Sequence, residues 1–397
     1  MTLRTFILLA VFGGLSLSAQ SIRPGDRVAI VGNTFADQLR VHGYLETLLM
    51  QQAGDEPVSV RNLGWAGDML NIRDRPTNFA KEEATLSAHK TDVIIACFGM
   101  GESFKSEAGL LEFRKGLDAF LASHRGKQYN GGSAVRIVLV SPIAYENLGE
   151  ITPNLEQRNK DLAAYTQVMA VVAAERKLPF VDLHAPLAEL MAADGPKLTT
   201  NGITLRAYGH WAAAKFLAGG SETWHLELDA NAKSATATGL AISAIQGGTD
   251  GLSFIAKEES WPSLPPPGGE AHAQLQRDTL VVSGLAPGDY RLEVDGQAVT
   301  DASAKAWAKG VIIETSPAHR ALEDFREAVN DKNRQFTYSW KALNQVHIVG
   351  ERKKSASGRA LPAEVIAFNK LADEKDVALR GAFALKTRNW QLTRSTK

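Results

Sequence analysis

The sequence predicts an α/β protein: a doubly wound, parallel, five-stranded sheet in three layers, then a small β-rich module and a helical C-terminal segment. Three observations carry this. Five short apolar runs, 27–31, 58–63, 92–98, 136–141 and 180–183, alternate with segments of helical period, as strands buried on both faces of a parallel sheet do. After residue 217 the apolar residues alternate singly instead, as in Trp224, Leu226 and Leu228, the period of half-exposed strands. From Ser316-Pro317 onward the spacing is helical again, with Ser as a cap and Pro at the first helical position.

Residues 1–20 carry one early cation, Arg4, then an apolar run over 6–15, then the small residues Ser16, Ser18 and Ala19. Charged, apolar and small-residue zones in that order mark a secretory signal peptide, cut near Ala19, and imply a secreted or periplasmic protein. The apolar run falls short of the ~20 residues a membrane span needs, so no stable span is expected after cleavage. Lys plus Arg equals Asp plus Glu at 44 each, a balance that excludes nucleic acid as the expected partner and leaves a small or neutral ligand. Cys97 is the only cysteine, so no intramolecular disulfide forms, and its apolar run makes it a core residue.

Taken in order, the first strand, 27–31, leads through a small-residue turn into a helical period over 37–52, with Leu39, Tyr44, Leu45, Leu48 and Leu49 on one face. Further helices are expected over 107–124 and 155–176, giving an α/β domain over 21–217. The β-rich module takes 218–315, with Pro262, Pro265, Pro266 and Pro267 as a stiff connector or long loop. The remainder, 316–397, is expected to be mainly helical, its stripe of Leu322, Phe325, Val329 and Phe336 packing on another domain.

Four blocks fall after predicted strands or before the last helix of the first domain. They are Gly32-Asn33-Thr34, Asn62-Leu63-Gly64-Trp65-Ala66-Gly67-Asp68, Phe98-Gly99-Met100-Gly101-Glu102-Ser103 and Thr200-Asn201-Gly202-Ile203-Thr204-Leu205. In order and position they resemble the motif blocks of the SGNH/GDSL-type hydrolases, a three-layer esterase fold, over about half the chain. The resemblance implies a nucleophile at Thr34, preceded by Asn33 where the family has Asp. It also implies an oxyanion N–H at Gly67, an oxyanion side chain at Gly101, and an Asp/His relay at Asn201 and Thr204. Glu102 stands where the family has an Asp. Gly67 needs only its backbone, so that element is intact. Gly101 has no side chain to donate, and a threonine at 204 cannot act as a base at neutral pH.

Two histidines stand as replacement bases: His210, about 9 Å further along the last helix than Thr204, and His184, after the fifth strand. Asp37, Asp68 and Glu102 are carboxylates that could orient such a base or bind hydroxyls, while Thr34 itself also reads as a residue that caps or steadies the following helix. No spacing of histidines or cysteines suggests a metal, and no glycine-rich loop suggests a nucleotide cofactor. The readings left open are a secreted hydrolase of small-molecule or glycan esters with weakened or lost catalysis, and an inactive glycan- or acyl-binding module on the same fold.

Overall fold

The computed structural model describes residues 21–75, 81–220, 223–342 and 354–395; the expected signal peptide lies outside them. The first domain runs β1 (Arg27–Gly32), α1 (Thr34–His42), α2 (Tyr44–Ala53), β2 (Ser59–Asn62), α3 (Glu82–His89), β3 (Val93–Cys97), α4 (Leu110–His124), β4 (Arg136–Val140), α5 (Leu155–Arg176), β5 (Phe180–Val181), α6 (His184–Ala192) and α7 (Ala207–Ala218). The strands form one sheet in the order β2-β1-β3-β4-β5, every pair parallel. Val28 and Ile30 of β1 enter the apolar cluster on one face, with Leu45, Leu48 and Trp211. Ala29 and Val31 enter the cluster on the other, with Phe113, Leu117 and Met169. Period-two alternation therefore feeds two cores, and the five-stranded three-layer arrangement is as the sequence predicts.

Two helices differ from expectation. The apolar period over 37–52 continues through Gly43, but Gly43 has φ +68° and splits the segment into α1 and α2. Beyond the third strand, 3₁₀ turns over Glu102–Gly109 precede α4, kinked at Ser106 with φ +47°. Ser106 is held there by its carbonyl, which accepts from Tyr165 Oη, and its hydroxyl, which donates to Asp161.

The second region holds β6 (His225–Asp229), β7 (Ser234–Thr238), β8 (Leu240–Gly248), β9 (Gly251–Glu258), β10 (Thr279–Ser283), β11 (Asp289–Val294), β12 (Gln297–Ser303), the single turn α8 (Ala304–Trp307) and β13 (Val311–Ile312). Two sheets, β13-β10-β6-β7 and β12-β11-β14-β9-β8, enclose a core of Trp224, Phe254, Trp307 and Trp390. β14 (Thr387–Arg394) arrives from the far C-terminus, after α9 (Pro317–Ala342) and α10 (Ala356–Leu379), and pairs with both β9 and β11. The connector after β9 is bound to α7: Trp211 Nε1 donates to the Leu264 carbonyl at 2.8 Å, and Tyr208 Oη meets His272 Nδ1 at 2.6 Å.

Helix α9 crosses the open edge of the parallel sheet. Leu322, Phe325 and Val329 pack into one core, Phe336 and Trp340 into the other. Between them Lys332, fully buried, donates from Nζ to Glu46 and, at 2.8 Å, to the carbonyl of Val60 on edge strand β2. An edge strand presents unpaired carbonyls, and this lysine satisfies one. Arg61 does the same from β2 itself, reaching the Val60 carbonyl at 3.1 Å while pairing with Asp373 and Asp376 of α10.

Candidate functional site

Strand β1 ends at Gly32, φ +133°, where a Cβ would sit 2.1 Å from the Cys97 carbonyl oxygen of β3. Only glycine lets the chain turn there while the two strands stay paired. The turn delivers Asn33 to the helix start. Its Oδ1 accepts from the Phe35 and Ala36 backbone N–H groups at 3.0 and 3.5 Å. Asn33 is thus the cap of α1, and Thr34, which the sequence offered as an alternative cap, is the first helical residue.

After β2, Asn62 donates to the Ala36 carbonyl and accepts from Gly64 N–H, stapling the second block to α1. The loop then brings Gly67 to Thr34. Gly67 N–H donates to Thr34 Oγ1 at 3.2 Å. The third block is tied to the second by Glu102, whose carboxylate accepts from Leu70 N–H and Gly99 N–H, each at 2.9 Å. Burial pushes the Glu102 carboxyl up, against those backbone donors. Gly101 lies over Met69, where a Cβ added to the glycine would sit 2.9 Å from Met69 Cγ.

The fourth block forms a tight hairpin across the Thr199–Leu205 bridge. Asn201 Oδ1 accepts from Ile203 N–H and Thr204 N–H at 3.2 and 2.8 Å. The hairpin rests on Glu146, fully buried after β4, whose carboxylate accepts from Leu198 N–H, Thr199 N–H and Thr199 Oγ1. Sequence reasoning missed Glu146; the only signal was a lone glutamate shortly after a strand's carboxyl end. Among the described residues, nothing joins Asn201 or Thr204 to Thr34 by a hydrogen bond.

Among the described residues, neither replacement base bonds to Thr34. His210 is 3 % exposed, its ring stacked 6.4 Å from Phe35 and tilted 5.1 Å from His42, with no partner for Nδ1 among the described residues. Burial, then the neighbouring His42, drives its pKa down to about 3. Its burial and its ring contacts with Phe35 and His42 are those of a packing residue. His184 opens α6, its N–H donating to Asp182 at 2.8 Å, while its buried Nε2 has no partner and burial lowers its pKa. Asp37 is taken by Arg40 and Lys341, and Asp68 by a two-bonded grip from Arg75. Arg75 and Lys341 each also lie 4.8 Å from the Trp65 ring centroid, within cation–π range.

A Ser–His–Asp row does occur, far along the chain. Ser316 Oγ lies 2.7 Å from His319 Nδ1, and His319 Nε2 lies 2.9 Å from Asp278 Oδ2. All three side chains are at most 1 % exposed. Asp278 also accepts from Trp224 N–H and Ser263 N–H, so the row joins the start of α9 to the β-rich module and presents no nucleophile to solvent. Burial likewise pushes the Cys97 thiol up, which keeps it inert. Among the described residues, no group of three or more His, Cys, Asp or Glu side chains could hold a metal, and no helix is long and apolar enough to cross a membrane.

No protein-family model matches the chain, and no curated protein matches it in sequence. Among solved structures, a gut microbial diltiazem-metabolizing enzyme superposes with TM-score 0.70 at 18 % identity, covering 95 % of this chain and 99 % of that one. An acetylxylan esterase from Geobacillus stearothermophilus covers 50 % of this chain and 97 % of its own, with 17 % identity and TM-score 0.36. The aryl esterase of M. smegmatis covers 49 % and 97 %, with 16 % identity and TM-score 0.36. The strand order β2-β1-β3-β4-β5, the block positions and the full-length superposition agree, and what this chain shares with the SGNH/GDSL-type hydrolases is their fold.

Proposed function

We propose that the chain is an exported protein whose SGNH-type cleft, at Thr34 and Gly67, binds a small-molecule or glycan ester without efficient turnover. The observation that carries this reading is the Gly67 N–H bond to Thr34 Oγ1. It occupies the backbone donor that an oxyanion would need with the hydroxyl that would have to attack. The other parts agree. Gly101 contributes no side-chain donor, the Asn201 carboxamide is folded onto its own loop, and no described histidine bonds to Thr34. A threonine without a base is a poor nucleophile, and a missing oxyanion donor alone costs about 3 kcal/mol in the transition state.

The charged, apolar and small-residue zones of 1–20 support export, and protein recovered outside the cytoplasm with its amino terminus near Gln20 is the expected result. The function is tested with a fluorophosphonate probe and a panel of acetyl esters. The expected result is no labelling of Thr34 or of buried Ser316, near-background ester hydrolysis, and saturable ester binding that Thr34→Phe removes. Rapid labelling of Thr34, abolished by His184→Ala or His210→Ala, would overturn the reading in favour of an active hydrolase.

A further inference from the structure

A second cleft lies at the opposite, amino-terminal end of the parallel sheet, where the segment between α2 and β2 meets the start of the connector and the turn after α10. It has a volume of about 690 Å³, within the range of small-molecule sites. Its apolar wall includes Trp261, Phe325, Phe383 and Leu385. The Trp261 ring centroid lies 4.4 Å from Phe383 and 5.0 Å from Phe325, so the three rings form one rigid surface. Leu385, 38 % exposed, extends that surface toward solvent.

The charged lining has one sign. Asp55 and Glu259 are both exposed there, and among the described residues no lysine, arginine or histidine lines the cleft. Among the described residues neither carboxylate has a hydrogen-bond or ion-pair partner, in a chain where the interior carboxylates Asp37, Asp68, Glu46 and Asp376 are all paired. In the same wall Gln51 donates to the Trp261 carbonyl at 3.0 Å, and its Oε1 is buried with no donor. The cleft thus offers aromatic faces and two carboxylates without partners among the described residues, and no cationic group among the residues that line it balances them.

We propose that this cleft binds a small organic cation with an apolar body, such as an arylalkyl ammonium. The rings would take the apolar part and contribute cation–π attraction, and Asp55 and Glu259 would meet the ammonium, whose N–H groups would donate to them. Its location at the amino-terminal end of the strands makes the site independent of the Thr34 cleft, so either can fail without the other.

The test titrates the whole protein with three probes sharing one ring, 2-phenylethylammonium, 2-phenylethanol and phenylacetate, followed by ligand-observed NMR at low and high salt. The expected order is ammonium over alcohol by about fivefold, the upper end for one exposed charge contact, with phenylacetate weakest and the preference shrinking in high salt. Asp55→Asn with Glu259→Gln should bring the ammonium down to the alcohol while leaving alcohol binding and the urea midpoint unchanged. Phe383→Ala should weaken both probes. Equal binding of the three probes, a preference that survives the double substitution, or no saturable binding of the ammonium would overturn the proposal.

Discussion

Gly67 N–H and Thr34 Oγ1 lie 3.2 Å apart, and this bond defines the state of the cleft. The turn, the loop and the capped helix bring Thr34 and Gly67 together, and the Thr34 hydroxyl accepts from the backbone N–H of Gly67. Asn33 and Asn62 maintain that geometry through backbone bonds alone. Positioning machinery of this kind does not depend on the relay.

Restoring the relay should therefore need all its parts. Thr34→Ser, Gly101→Asn, Asn201→Asp and Thr204→His together should raise hydrolysis of an activated acetyl ester by about 100-fold or more, on the order of one relay step, while each single change moves it by less than about threefold. The scaffold permits these changes. A Cβ at position 101 would meet Met69 Cγ and Sδ at 2.9 and 3.0 Å, so the Met69 side chain must shift to admit an asparagine, and Asn201→Asp would keep the turn because a carboxylate also accepts from the two N–H groups. Steady-state rates of the four single variants and the combination check this, and a single variant as fast as the combination refutes it.

Close approach at Gly64 should matter as much as any side chain of the blocks. A Cβ there would lie 2.4 Å from Asp37 N and 2.7 Å from Ala36 C, inside the backbone of α1. Gly64→Ala should cost about 3 kcal/mol, the upper range for overpacking, read as a fall in the urea midpoint at unchanged m. Gly132→Ala, where the nearest foreign atom is 3.9 Å away, should stay within about 0.5 kcal/mol.

Lys332 gives a sharper stability test. Lys332→Met leaves Glu46 buried beside Asn333 and takes one of two donors from the Val60 carbonyl, Arg61 keeping the other, so a loss of about 3–5 kcal/mol is expected, chiefly from the orphaned carboxylate. Adding Glu46→Gln should recover part of that loss, because the orphaned charge then disappears. Urea unfolding of the two singles and the double closes the cycle; strict additivity would show that the pair is not coupled.

What could be read from the chain follows from burial. Five strands were legible because Val28–Val31 and their counterparts are buried on both faces and so form unbroken apolar runs. The break at Gly43 was hidden, since the apolar period runs through it and only the backbone φ reveals the turn. Strand β14 was hidden too: Trp390 and Leu392 alternate with Asn389 and Gln391, but they follow a helical stretch, and their β11 partners, such as Val294 for Trp390, are far away in sequence. The stripe of α9 was legible as an apolar face, while Lys332 within it gave no hint that a charge would be buried. For the site, the block residues were readable as a spacing. Glu146, Asn62 and the cap at Asn33 act through backbone partners, which no spacing encodes.

Acid sensitivity should report the buried imidazoles. Burial lowers His89 and His210 from 6.5 to about 3 in the folded chain. Between those values the unfolded chain binds protons that the folded chain refuses, so stability is full above about pH 6.5 and falls as the pH drops toward about 3. Each group steepens that limb by about 1.4 kcal/mol per pH unit. His210→Phe keeps a ring against Phe35 and sacrifices no bond at the unpartnered Nδ1. It should leave stability at about pH 8 within about 1 kcal/mol of the parent and flatten the slope between about pH 6 and pH 4 by about one proton. Urea midpoints across that range measure this, and a slope unchanged by the substitution would mean that His210 is protonated, and therefore solvated, in the folded protein.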